Sequence, residues 1–378
     1  MERHTVRQRD DWQQKFDELG FSFHSADGTY WSEGVCYEFS SDEIDHFEEV
    51  TAELHDLCLQ AVERVIDRNL FSQLGIPESW AEYVTRSWQR KDASLYGRFD
   101  FSYDGRGEPK LLEYNADTPT SLVESSIAQW VWLEDLYPDH DQFNSIHEKL
   151  LDAFAAAKGQ ISEFCPLYFA CVKDHEEDWV TVEYLRDVAV QSGLDGRQVF
   201  MEDIGYSAES GLFYDLDNMP IEYAFKLYPW EWLMADEFGV HVLNGNLRLF
   251  EPAWKMVLSN KGILPILWEM APKHPNLLPA SFREGDIRGD VVRKPLLSRE
   301  GANVTLRADG RTFEGGEGNY GAEGWVYQQA RLLPCFDNRY PMVGSWVVNG
   351  LPAGLGIRED ATPITTNTGM FVPHFFQP

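Results

Sequence analysis

SLYGRFDFSYDGRGEPKLLEYNADTPTS, residues 94–121, carries two short apolar runs on either side of a turn. Alternate residues of an extended strand face the same side. Arg98 and Asp100 therefore share one face of the first run, and Glu113 and Asn115 share a face of the second. Asp104 and Gly105 supply the turn that folds the runs into a hairpin. Paired in suitable register, the hairpin gathers two carboxylates and an amide oxygen beside one guanidinium. Hard oxygen ligands of this kind suit Mg2+ held jointly by protein and nucleotide phosphates. The competing possibility is a local ion pair on an exposed hairpin face. Phe99, Phe101, Leu111 and Leu112 are core-forming residues, so the charges sit in a partly buried sheet and need partners.

Around the hairpin the pattern is mixed. Phe47, Val50, Leu54, Leu57, Leu59, Val62 and Val65 recur at spacings that roughly follow a helical period, which predicts a helix from about Ser41 to Leu74. A second helix is expected from about Ser121 through Trp132, capped by Thr118, Thr120 or Ser121. ADTPT, between strand and helix, is then a strand-end loop, the place where open α/β sheets bind ligands. From Pro166, LYFACV, WVTVEYLRDVAVQSG and QVFMEDI read as strand, helix and strand of a parallel unit, followed by a strand in IEYAFKLYPW and a helix from Glu231. Beyond Glu251, glycine and proline punctuate short strands of a largely antiparallel half, with Asn349–Gly350 the clearest hairpin turn. The expectation is an α/β (mixed α+β) chain in three regions. Residues 1–165 carry the hairpin, 166–250 form the parallel unit, and 251–378 form the C-terminal region.

Composition narrows the function. A hydrophobic fraction of 43% with 14% aromatics argues against disorder. Against 32 basic residues stand 62 acidic ones, a net charge of -30, which repels nucleic acid and anionic lipid and draws in cationic partners such as a polyamine. Diffuse acidity also serves solubility alone. The apolar run Ile263–Leu267 is broken by Pro265 and is far too short to span a membrane. The charged opening MERHTVRQRDDW has no apolar signal core, so the expectation is a soluble cytoplasmic protein. Five cysteines without CxxC spacing read as reduced thiols.

Two lysines stand out: Lys261, opening a helix after EPAWKMVLSN, and Lys294, inside the strand VVRKPL. Each alone is ordinarily an exposed-face residue; with a carboxylate–amide site elsewhere, the pair can hold nucleotide phosphates as point charges. SREGANV adds Arg299, Gly301 and a turn whose backbone amides can cradle phosphate. Gln328 and Gln329 lie on a mostly apolar strand that suits either an adenine pocket or an ordinary core. Arg358 adjoins Glu359 and Asp360, with which a local ion pair is the simple alternative. Residues 298–303 and the glycine-rich stretch 313–324 are expected to be poorly ordered without nucleotide.

Taken in order, RxD, ExN followed by ADTP, EPxWK with NK, VxKP with SREGxN, YQQ and a terminal GxxxRED resemble the synthetase domain of the glutathionylspermidine synthetase family over nearly the whole chain. The amidase half of the bifunctional members is absent from these residues. The resemblance implies an ATP-grasp fold preceded by a pre-ATP-grasp α/β region, and an ATP-dependent ligase joining a small-molecule or peptide carboxylate to an amine through an acyl phosphate. It implies Asp100, Glu113 and Asn115 as Mg2+ ligands and Arg98 as the group that stabilises the transferring phosphoryl. Lys261, Lys294, Gln328 and Gln329 fall on nucleotide-binding positions, with Arg299 and Gly301 in a closing loop and Arg358 projecting toward the same centre. Thr118, Glu176 and Glu177 fall on substrate positions. Departures are Leu227 where the family has threonine, Met342 where it has a nucleotide-contacting glutamine, and no acid near Met370. They leave two rivals standing: an idle or regulatory MgATP-binding protein with an altered acceptor site, and a metal-dependent hydrolase.

Overall fold

The computed structural model describes residues 1–26 and 28–377. The hairpin forms as its alternation predicts. Tyr96–Ser102 and Lys110–Asn115 pair antiparallel, with Arg98 opposite Asn115 and Asp100 opposite Glu113, and a bulge follows at Asp100/Phe101. Its outer neighbour comes from far along the chain. Tyr340–Val348 pairs antiparallel with Tyr96–Ser102, and Leu351–Asp360 and Met370–Val372 extend the sheet to five strands. Strands from the expected 1–165 and 251–378 regions are thus hydrogen-bonded neighbours in one central sheet. Asn349 and Gly350, both at positive φ, turn the 340–360 hairpin as expected.

The long helix spans Ser41–Asp67 and begins in a capping box, with Ser40 Oγ accepting from Glu43 N and Glu43 Oε2 accepting from Ser40 N. It stops short of Leu74: Asn69 takes a left-handed φ of 50°, and a separate short 3-10 turn follows at Phe71–Leu74. Its apolar face packs on the central sheet, where Thr51 and Ser345 hydroxyls meet at 2.7 Å. Beyond Ser121 a π-turn over Glu124–Ala128 leads into the helix Gln129–Leu136.

The parallel unit has four strands in the order Arg248–Phe250, Tyr223–Lys226, Leu167–Cys171, Gly196–Phe200. The helix Glu176–Gln191 starts three residues before the expected WVTVEY run. His175 caps it by accepting from Asp178 N, and Glu176, Glu177 and Asp178 suit the positive end of its dipole. A second antiparallel sheet runs Ala280–Ser281, Trp325–Gln329, Val291–Pro295, Thr305–Ala308, Arg311–Glu314. No helix of the described residues is long and apolar enough to cross a membrane.

Candidate active site

The central sheet and the second antiparallel sheet face each other across an open cleft of about 1140 Å³, solvent mouth included. From the hairpin and its loop come Arg98, Asp100, Glu113, Asn115 and Thr118; from the facing sheet and its loops come Lys294, Arg299, Gly301, Gln328 and Gln329; Lys261 and Arg358 complete the set. Val292, Leu306, Leu333 and Met342 supply an apolar part of the same cleft. Glu176 and Glu177 are not among its walls.

Register brings the hard donors together. Asn115 Nδ2 donates to Asp100 Oδ2 at 2.8 Å and to Glu113 Oε1 at 3.3 Å, so the three side-chain ends touch. Such a set fits Mg2+, which takes one or two carboxylates and fills its shell with water and phosphate oxygens. Half a turn of the Asn115 amide would present its oxygen in place of its NH2. Arg98 grips Asp100 bidentately, Nε to Oδ1 at 2.7 Å and Nη2 to Oδ2 at 3.1 Å, while Nη1 donates to Thr120 O at 2.5 Å. Burial pushes the Asp100 carboxyl up and Arg98 opposes the rise. Space for Arg98 is made by Gly344 on the neighbouring strand, where a Cβ would lie 2.7 Å from Arg98 Cδ.

Both singled-out lysines point into this cleft and are buried, unlike ordinary strand-face lysines. Lys261 Nζ lies 3.0 Å from Glu113 Oε2 and donates to Ser298 O at 2.5 Å. Lys294 Nζ donates to Leu112 O at 2.8 Å and to Gln328 Oε1 at 3.0 Å, and Gln328 Nε2 in turn donates to Leu111 O at 3.0 Å. Gln328 therefore ties the facing sheet to the hairpin. Burial would raise Glu113, but Lys261 and Lys294 overcome it and hold the carboxyl down at about 2. Burial lowers Lys294 to about 8, with Glu113 opposing the fall and Lys261 adding to it.

Arg299 Nη1 donates to Thr118 Oγ1 at 2.6 Å, joining the loop after Val291–Pro295 to the loop after the hairpin. Gly301 has a φ of 70°, and a side chain there would meet Ile364 Cγ2 at 2.8 Å. The stretches expected to be poorly ordered are stitched to each other: Asn303 Nδ2 donates to Gly318 O and Tyr320 O, and Asn303 Oδ1 accepts from Gly318 N. Arg358 does not pair with its neighbours in sequence. Strand alternation turns Glu359 to the other face, where it accepts from Arg3 and Tyr37, while Asp360 accepts from Thr366. Arg358 keeps no carboxylate within ion-pair distance among the described residues and uses only Nη2, on the carbonyls of Thr366, Asn367 and Gly369.

The two adjacent glutamates differ in surroundings. Glu176 is exposed and accepts from Ser22 Oγ, whereas Glu177 is half-buried, with burial raising its pKa and Arg358 opposing the rise. Sequence reasoning missed four buried charges around the hairpin and its loop. Glu124 is fully buried, hydrogen-bonded by Tyr30, and pushed up to about 7 by burial and Glu177. Its signal was a lone acid in the apolar run SLVESSIAQWVW. Asp117, inside ADTPT, accepts from Lys226 Nζ at 2.7 Å and Trp230 N at 2.9 Å, which anchors the loop to the parallel sheet. Glu251 and Lys255 of EPAWK clamp the base of the hairpin: Glu251 accepts from Ser94 Oγ, Leu95 N and Tyr96 N, and Lys255 donates to Tyr96 O.

Residues 3–377 match the family model described as glutathionylspermidine synthase, preATP-grasp. A putative acid–amine ligase of Haemophilus influenzae is 44% identical over 98% of both chains. Trypanothione synthetase of Crithidia fasciculata is 30% identical over 83% of this chain, and the bifunctional glutathionylspermidine synthetase/amidase of Escherichia coli 27% identical over 92%. This chain spans 52% and 61% of those two longer proteins. A glutathione synthetase-like effector of Globodera pallida, solved in its apo form, shares the fold over 99% of this chain and 100% of its own with a TM-score of 0.59 at 9% identity.

Proposed function

The chain belongs to the glutathionylspermidine synthase family, and from that premise we propose that it is an ATP-grasp ligase that joins a carboxylic acid to an amine through an acyl phosphate. The observation that carries this reading is the convergence of Asp100, Glu113 and Asn115 with Lys261, Lys294 and Arg358 in one cleft between two sheets. Phosphoryl transfer asks for positioning and charge neutralisation rather than a nucleophilic side chain, and this cleft offers cations and hard oxygen donors.

In this reading the base of ATP lies against Val292, Leu306 and Leu333, near the backbone of Gln328 and Gln329, and Lys261 and Lys294 hold its phosphates. Asp100, Glu113 and Asn115 would hold Mg2+, which neutralises charge on the phosphates when bound. The acid's carboxylate oxygen attacks the γ-phosphorus, and ADP leaves. The amine then attacks the acyl carbon, and inorganic phosphate leaves with the former carboxylate oxygen. Arg358, with unused donors, takes up charge on the transferring group, Arg98 holds Asp100 in place beside it, and Arg299 with Gly301 closes the loop over the phosphates. Thr118 sits on the acid side, and Glu177 with Glu176 on the substrate side beyond Arg358. The acid is a peptide or amino acid. Leu227 is packed in the core beneath the parallel sheet, which supports a donor other than glutathione.

The test is ADP release by purified protein with MgATP across a panel of peptides, amino acids and amines. At least one acid–amine pair should stimulate ADP formation well above background, and Lys261→Ala and Lys294→Ala should abolish nucleotide binding. Tight MgATP binding with no pair stimulating turnover would favour the idle-protein alternative. Retained metal-dependent activity in both lysine variants would favour the hydrolase.

A further inference from the structure

A second cavity lies on the parallel sheet and shares no wall with the nucleotide cleft. With its solvent mouth included it measures about 1100 Å³, close to the 1140 Å³ of the cleft. Its floor is Ala170 and Val172 at the carboxyl end of one strand and Ala224 and Lys226 on the next, and Leu233, Phe238 and Val242 cover it. The position is telling. From Leu167–Cys171 the chain passes to Gly196–Phe200 on one side and then returns to Tyr223–Lys226 on the other. The floor is therefore the topological switch point of the sheet, where open parallel sheets bind ligands beyond the carboxyl ends of their strands. The two alanines leave the space that larger strand residues would fill.

The charge around the cavity selects the ligand. Among the described residues the one cation lining it, Lys226, is already spent on Asp117 Oδ1 at 2.7 Å and Tyr228 O at 2.9 Å. Three exposed carboxylates, Glu202, Asp236 and Glu237, stand at its rim. Of these, Asp236 accepts from Tyr228 Oη and Glu202 from Lys173 N, and Glu237 makes no hydrogen bond among the described residues. An apolar interior with an acidic mouth matches a molecule with a hydrocarbon body and a cationic head. We propose that this cavity binds an alkyl or aralkyl amine, chain inward and ammonium at the Glu237 rim. The assignment does not depend on the ligase reading, and its test uses neither ATP nor turnover.

Calorimetric titration of the full chain with n-alkylamines from butylamine upward should give affinity rising about fourfold per methylene until the cavity is full. Diffuse attraction to a surface of this net charge has no such dependence, so chain-length independence would overturn the proposal. Hexylamine should bind at least about tenfold tighter than hexanoate, with hexanol between them; equal binding of hexanoate would overturn the ammonium assignment. Ala224→Phe should remove saturable binding by filling the floor. Should that variant not fold, Glu237→Lys, on the exposed rim, should weaken hexylamine about fivefold and leave hexanol unchanged. A cooperative melting transition within a few degrees of the parent's in each variant reports that the rest of the fold is intact. Hexylamine binding unchanged by either folded variant would place it elsewhere.

Discussion

Lys294 is held at about 8 because burial strips its ammonium of water, and Lys261 adds to the fall against the pull of Glu113. Its folded pKa lies below the ordinary lysine value, so between about 8 and 10.5 the unfolded chain binds more protons, and this residue's contribution to stability rises with pH across that window. Phosphate pulls the other way, because it favours the charged lysine. Nucleotide binding near and above pH 8 should therefore take up a proton, and the ATP dissociation constant should increase by up to about tenfold per pH unit beyond that point. Calorimetry in two buffers of different ionisation enthalpy, repeated from pH 7 to 9.5, reads both effects. Constant affinity with no proton uptake would mean that Lys294 does not face the phosphates. At this scale the sequence was readable for residue type and unreadable for burial. A lysine among apolar neighbours on a strand can face either side, and only the packing of Gln328 and Leu112 against Lys294 decides which.

Single elements depend on close approach between strands. Arg98 lies flat over Gly344 and reaches the Trp346 ring at 5.7 Å on the same neighbouring strand. Gly344→Ala puts a methyl into that space and forces Arg98 off its bidentate grip on Asp100. The expected result is a folded protein destabilised by about 1–3 kcal/mol, with ligase turnover lost far out of proportion to the fall in melting temperature. Equal and small losses in both would show that Arg98 can be displaced without consequence. The hairpin itself was legible because Arg98, Asp100, Glu113 and Asn115 alternate with apolar residues and a DG turn separates the runs. Its pairing with 340–348 was not, since no local pattern specifies which strand lies beside another. The long helix was legible at its start and overrun by about two turns at its end. Its end was missed because apolar residues continue past Asn69, where the backbone turns left-handed.

Across the whole molecule the dominant property is a net charge of -30. A cationic amine substrate is drawn toward such a surface over roughly a Debye length, about 8 Å at physiological ionic strength. The KM for the cationic amine that stimulates turnover should therefore rise with added salt while that for the carboxylic acid stays level or falls. Steady-state kinetics from 20 to 300 mM KCl would show it, and an amine KM insensitive to salt would remove the charge from the account of substrate choice. Fold class was legible at this scale because periodicity switches from helical to alternating along the chain. The division into three consecutive regions was read from composition, whereas the central sheet draws its strands from both ends of the sequence.

That interleaving sets a schedule. Tyr96–Ser102 carries Arg98 and Asp100, yet its sheet partner Tyr340–Val348 is encoded roughly 240 residues later, so at about 5–20 residues per second the half-made sheet waits on the order of 10–50 seconds for its neighbour. Throughout that interval one edge of the hairpin offers unpaired amides and carbonyls to whatever strand arrives first. During synthesis, this protein is therefore most in need of a chaperone between the emergence of Asn115 and that of Val348.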